Sequence, residues 1–202
     1  MLTLYHHPRS TYARRVVIGL LEKQLEYTSV VIDMGKREHR GPAHLAMNPY
    51  GRVPVLADDD FVLYESATIL RYLEETRPER PLLPSAPRER ALTDMHMRLC
   101  DIQLARHTGI IIFPKRFLPK ERWDTQAMTA ASQEIQRHLD ILEPQLADRT
   151  YLVADQFTLA DLAYIPFVHF LPIMDVATPP NVQRWVDHLL ARPSARSTVP
   201  DV

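Results

Sequence analysis

The chain has 202 residues, 46% hydrophobic and 24% charged, and its 24 Lys and Arg nearly balance 25 Asp and Glu. That composition fits one large soluble domain or two small ones and leaves no global field to recruit nucleic acid or a membrane surface. The single cysteine, Cys100, excludes an internal disulfide framework. With no apolar run of bilayer length and no leader-like N-terminus, it points to the cytoplasm.

The first seventy-odd residues mix two periodicities. Residues 2–5 read as a short strand. Ala13, Val16, Val17, Leu20 and Leu21 then recur at helical spacing. Residues 27–33 are rich in β-branched side chains and predict a second strand. A polar stretch, 35–41, leads to a short helix near 43–47. Residues 54–56 and 61–64, joined by Asp58-Asp59-Asp60, predict a hairpin, and a helix over 65–76 closes the unit. The order β-α-β, short helix, β-β-α gives a mixed sheet whose parallel pair needs a right-handed crossover.

Residues 77–87, RPERPLLPSAP, hold four of the chain's seventeen prolines and read as a linker. Beyond it no strand is expected. Leu92, Met95, Leu99 and Ile102 are spaced for a long helix that 109–113 extends toward Pro114. Met128, Ala131, Ile135, Leu139, Leu142 and Leu146 step by three and four and predict a second. Pro144 should bend its last turn. Helices over 158–169 and 182–190 complete a bundle. Phe157-Thr158-Leu159-Ala160-Asp161-Leu162 has the form of a capping box with a hydrophobic staple, Asp161 standing for the usual Glu.

Three segments carry the chemistry. MNPYGRVPVLADDDFVLYES places an X-Pro bond, Val53-Pro54, between a turn and a short apolar strand. A cis bond there turns the Val53 N–H and C=O toward a peptide-like ligand. About ten residues on, Glu65 and Ser66 open a helix whose N–H groups and dipole attract a carboxylate. HHPRSTYARRV sets Ser10 and Thr11 where an N-cap hydroxyl belongs, and either could instead donate to a sulfur anion. A free thiol is only roughly 3% ionised at pH 7, so such a donor matters.

Taken together these residues resemble the glutathione transferase family over nearly the whole chain, most nearly its serine-type classes (phi, theta and zeta). The resemblance implies a thioredoxin-like domain with a mixed four-stranded sheet over residues 1–77, a linker over 78–87 and an all-helical domain over 88–202. It implies Ser10 at the activating position, with Thr11 as the competing hydroxyl. Pro54 is then the cis residue, and Val53 pairs with the cysteinyl backbone of glutathione. Glu65 and Ser66 hold the γ-glutamyl end. His39 and Arg40 stand where phi-like members contact the glycyl carboxylate, and Arg52 takes the place of a glutathione-contacting Gln. The acceptor, a small hydrophobic electrophile, is expected against Tyr12, Ile111, Phe113 and Phe117. Glutathione is the co-substrate with no metal, and a homodimer is implied, in which Tyr50 could plug into the neighbouring subunit. Family members have Gly before the acidic residue leading into the capping box, whereas this chain has Ala154 before Asp155.

Other readings follow from the same residues. The fold also serves glutathione-dependent dehalogenation, isomerisation and peroxide reduction, or non-catalytic binding, although a scaffold has no need of the full contact set. His96 and Cys100 are four apart, but no further ligand stands at metal spacing. His6 and His7 read as solvated residues at the end of the first strand. Lys115, Arg116, Lys120 and Arg122, with Phe117 and Trp123 nearby, read as a solvated interhelix loop rather than a nucleic-acid patch.

Overall fold

Alternation along β1 (Leu2–His6) puts Leu2 and Leu4 on one face, and both are buried in the computed structural model, which describes residues 1–200. They pack with Val16 and Leu20 of α1 (Thr11–Glu22), Leu56 of β3 (Val55–Asp58), and Ile69 and Leu73 of α3 (Ser66–Thr76). The sheet order is β2-β1-β3-β4, with β2 (Thr28–Val31) parallel to β1 and β4 (Phe61–Tyr64) antiparallel to β3. A short helix, α2 (Pro42–Met47), follows β2. The second strand is shorter than its sequence predicts. Past Val31 the chain turns where the Asp33 N–H donates to Glu38 and the Asp33 carboxylate accepts from the Lys36 N–H.

This first unit comprises Met1–Leu82 and the chain returning from Arg196, where Arg14 Nε donates to Thr198 at 3.2 Å. The segment read as a linker is pinned at its start. Buried Lys23 pairs with buried Glu74 at 2.7 Å and also donates to the carbonyls of Glu79 and Arg80, while Glu74 accepts from the Leu82 N–H.

The second unit, Leu83–Ala195, is helical, and among the described residues no strand follows Tyr64. It comprises α4 (Pro87–Leu99), a π-helical turn (Cys100–Ala105), α5 (Arg106–Phe117), α6 (Thr125–Leu142), α7 (Leu159–Val168), α8 (Pro180–Leu190) and the short α9 (Pro193–Arg196). All six apolar positions predicted along the second long helix are buried, and Pro144 follows its end in a 3-10 turn. The first long helix departs from expectation. Leu92 and Met95 are exposed, and the buried face is Thr93, His96, Met97, Cys100 and Leu104. A face carrying Thr and His does not read as apolar, and the π turn shifts the register by a residue within the run.

Thr158 caps α7 as expected, its hydroxyl accepting from the Ala160 N–H. Asp161, fully buried, accepts from the N–H groups of Thr158 and Leu152 and from Trp185 of α8 at 3.0 Å. The loop feeding this cap carries the residue noted above: Ala154 sits at φ 56° and Asp155 at φ 41°. A side chain in the left-handed region costs about 1 kcal/mol that glycine avoids. Ala154→Gly should therefore stabilise the chain by up to about 1 kcal/mol, raising Tm by roughly 2–4 °C in a thermal melt. An unchanged or lowered Tm would count against strain at that position.

Candidate active site

Strand register brings the expected site residues of the first unit to one end of the sheet. Tyr5 of β1 lies opposite Val55 of β3, and Val55 lies opposite Tyr64 of β4. The chain leaving β1 (Ser10), entering β3 (Val53) and leaving β4 (Glu65 and Ser66) therefore gathers at the same edge.

Val53 precedes the first ladder residue by two, so its N–H and C=O make no ladder bond, and the Val53–Pro54 peptide is cis. The turn presenting it is built by residues that the sequence did not single out. Buried Asn48 donates from its side-chain amide to the Arg52 carbonyl at 2.9 Å and accepts from the Tyr50 N–H. Buried His44 donates from Nε2 to the same carbonyl at 2.9 Å. Gly51 sits at φ 58°, where a Cβ would lie 2.8 Å from the His39 carbonyl oxygen and 3.0 Å from the Arg40 side chain. Only glycine fits between this turn and the next. The Asn48-Pro49 and Gly51 turn signals could have drawn attention to these positions.

His39 and Arg40 lie in a 3-10 turn, Glu38–Arg40, entered through Arg37 at φ 60°. Arg40 donates to the Tyr50 carbonyl at 3.3 Å. His39 is half-buried, and its Nδ1 has no hydrogen-bond partner. Desolvation first, and then the charges of Arg40, His44 and Arg37, hold its pKa below 6.5. At neutral pH the imidazole is therefore neutral, and a carboxylate arriving here would favour its protonation. The Arg52 side chain is exposed.

Glu65 occupies φ 74°, ψ 110°, and α3 starts behind it with no side-chain cap. An uncapped helix leaves its first N–H groups open to an anion. A non-glycine residue at positive φ stores on the order of 1–3 kcal/mol. Ser66 opens the helix nearly buried, and its hydroxyl accepts from Arg15 Nη1 at 3.2 Å. Arg15, wholly buried on α1, is another residue the sequence reading passed over. Nothing in its sequence neighbourhood distinguishes it from Arg14.

Ser10 is the N-cap of α1, and its Oγ accepts from the Ala13 N–H at 3.2 Å. That bond uses a lone pair and leaves the hydroxyl proton free to donate. Thr11 is the first helical residue. Tyr12 is 38% exposed, with the Arg15 guanidinium 5.6 Å from its ring centre. His6 is tied down rather than solvated: its Nε2 lies 2.7 Å from the Ser29 hydroxyl, and burial lowers its pKa.

In the helical unit Phe113 and Phe117 are exposed, their ring centres 5.5 Å apart, while Ile111 is fully buried and supports α5 from within. Arg116 stacks over Phe117 and Phe170. Lys115 and Arg116 belong to the last turn of α5 and not to a loop, and Lys115 pairs with Asp175 at 2.6 Å. Cys100 is buried and donates to the Ala163 carbonyl. Among the described residues no three side chains of metal-ligating type converge, and no helix is long and apolar enough to cross a membrane.

Comparison with known proteins identifies the family. Residues 4–81 match the family model for the glutathione S-transferase N-terminal domain, and residues 109–193 that for the glutathione S-transferase C-terminal domain. Glutathione S-transferase GstB of Escherichia coli (strain K12) is 33% identical, with 98% of each chain covered. Glutathione S-transferase of Silene vulgaris is 31% identical over 98% of this chain and 96% of its own. The crystal structure of glutathione transferase F2 from Populus trichocarpa superposes with a TM-score of 0.91 at 29% identity, covering 98% of this chain and 97% of that one. A transferase homologue from Sulfitobacter, solved with bound glutathione, gives 0.82 at 26% identity over 98% and 96%. The chain belongs to the glutathione S-transferase family.

The electrostatics of the 37–44 region are open to direct measurement. In an NMR titration His39 should titrate below 6.5, and Arg40→Gln should move it upward without restoring the ordinary value, because desolvation outweighs the Arg40 charge. A wild-type His39 titrating at or above 6.5 would contradict this.

Proposed function

We propose that this transferase binds glutathione across the sheet edge and conjugates its sulfur to a small apolar electrophile. The observation that carries the reading is the meeting, at one end of the sheet, of a strand-free backbone at Val53, an uncapped helix at Ser66 and a hydroxyl at Ser10. A tripeptide thiol needs these three things. Val53 pairs with the cysteinyl main chain. The γ-glutamyl group carries an ammonium, which Glu65 complements, and a carboxylate, which Ser66 and the α3 N–H groups complement. His39 and Arg40 meet the glycyl carboxylate, and Arg52, next to Val53, also contacts glutathione.

Ser10 then donates its hydroxyl proton to the sulfur and holds the thiolate. The Ala13 N–H already donating into its oxygen fixes the rotamer and polarises the O–H, which favours Ser10 over Thr11. The thiol proton leaves to solvent. The thiolate attacks the electrophilic carbon, the C–S bond forms, and the leaving group departs with its electron pair. Ser10 remains a donor and forms no covalent bond. Tyr12, exposed two residues after Ser10, binds the acceptor's apolar part.

A homodimer accompanies this reading. Edge strand β4 exposes Phe61 and Val62, and Tyr50 is 62% exposed with its ring edge-on to Tyr64. The chemistry requires reduced thiol, which supports a cytoplasmic location.

Ser10→Ala should lower turnover of a chloroaromatic acceptor at least about tenfold, or roughly 1.4 kcal/mol on the barrier, with glutathione affinity changed only a few-fold. Ser10→Gly, which costs only a few tenths of a kcal/mol in capping, should show the same loss. Thr11→Ala should have little effect; the reverse pattern in steady-state kinetics would assign the role to Thr11.

A further inference from the structure

The Arg52 carbonyl accepts two side-chain hydrogen bonds, from Nε2 of His44 and from the Asn48 amide, each at 2.9 Å. Two donors occupy both lone pairs of that oxygen. His44 on α2 and Asn48 at its end are 3% and 2% exposed, so both bonds are shielded from water. A carbonyl only accepts, so His44 must carry a proton on Nε2. Its Nδ1 is buried and finds no hydrogen-bond partner among the described residues. A hydrocarbon ring in this place would leave no polar atom unsatisfied, so packing alone gives no reason for an imidazole. What the imidazole supplies is one N–H aimed at the Arg52 oxygen. That oxygen and the Val53 N–H are opposite ends of one planar amide. Donors on the oxygen fix the plane in which the N–H points, and they draw charge from the nitrogen, which makes the N–H a stronger donor.

We propose that His44 is a positioning residue for the cysteinyl carbonyl of glutathione: through the Arg52 carbonyl it aims and polarises the Val53 N–H. The assignment rests on the glutathione reading and deepens it. His44 acts through the turn and not by contact with the ligand. Where Val53 pairs with the cysteinyl main chain, its N–H can bond only to the cysteinyl carbonyl oxygen, so the effect of His44 falls on that one bond. Asn48 donates to the same Arg52 oxygen and accepts from the Tyr50 N–H, so the turn keeps its own support when His44 is replaced.

Two probes isolate that bond: glutathione, and its analogue with the Cys–Gly amide replaced by a trans-alkene, which keeps the shape and lacks the carbonyl. By calorimetry His44→Phe should weaken glutathione roughly three- to tenfold, the scale of one neutral hydrogen bond weakened or lost. The same variant should hold the alkene analogue within about twofold of the wild type, because the bond it acts on is absent there. His44→Gln, which returns an amide N–H at similar reach, should recover most of the glutathione affinity. In a thermal melt His44→Phe should be at least as stable as the wild type. A lowered Tm with both probes weakened alike, or an unchanged affinity for glutathione, would overturn the role of His44 while leaving the glutathione reading intact. A measurement on the wild type needs no variant to fold: nitrogen NMR should find the His44 proton on Nε2, and a proton on Nδ1 alone would overturn the proposal. A wild-type chain that binds no glutathione would overturn both readings.

Discussion

Function in this molecule depends on the register of one antiparallel pair. Because Val55 faces Tyr5 on one side and Tyr64 on the other, the ends of three strands come to the same edge. A slip of one residue would send Leu56 to the opposite face, away from Leu2 and Leu4, and would separate Val53 from Glu65. The apolar core that α1 and α3 lay on this sheet thus holds the site in place without contributing a polar group to it.

Around that edge the backbone is arranged against ordinary preference. Glu65 and Arg37 take positive φ, Gly51 admits no side chain, and α3 lacks a cap. The uncapped start of α3 leaves N–H groups facing outward, whereas the N–H groups of Arg37 and Gly51 are bonded within their own turns. Such concentration of strain and unspent hydrogen-bonding capacity is what a binding edge requires. The supporting polar groups, by contrast, are buried and bonded: Asn48 and His44 converge on the Arg52 carbonyl, and Arg15 donates to Ser66.

Much of this was legible in the sequence because it rests on local signals. Alternation at Leu2 and Leu4, the three-and-four spacing from Met128 to Leu146, the Thr158–Asp161 capping box and the Val53-Pro54 turn each announce themselves within a few residues. The helical unit's first long helix was not legible in the same way. A buried face made of Thr93, His96 and Cys100 carries no apolar stripe, and a π turn leaves no compositional trace. Arg15 was missed for a related reason. On α1 it adjoins Arg14, and only the packing of α3 against that helix decides what it contacts. Long-range partners of charged side chains are set by tertiary placement, which periodicity does not encode.

The central claim is that the edge holds a thiol beside a hydroxyl that prefers it ionised. The most direct test is the pKa of the bound thiol, read from the ultraviolet absorbance of the thiolate as pH is raised with the enzyme saturated by glutathione. The account predicts a value at least one unit below the free thiol's, about 8.5, with most of that shift lost in Ser10→Ala. A bound thiol titrating at the free value in the wild-type protein would contradict it.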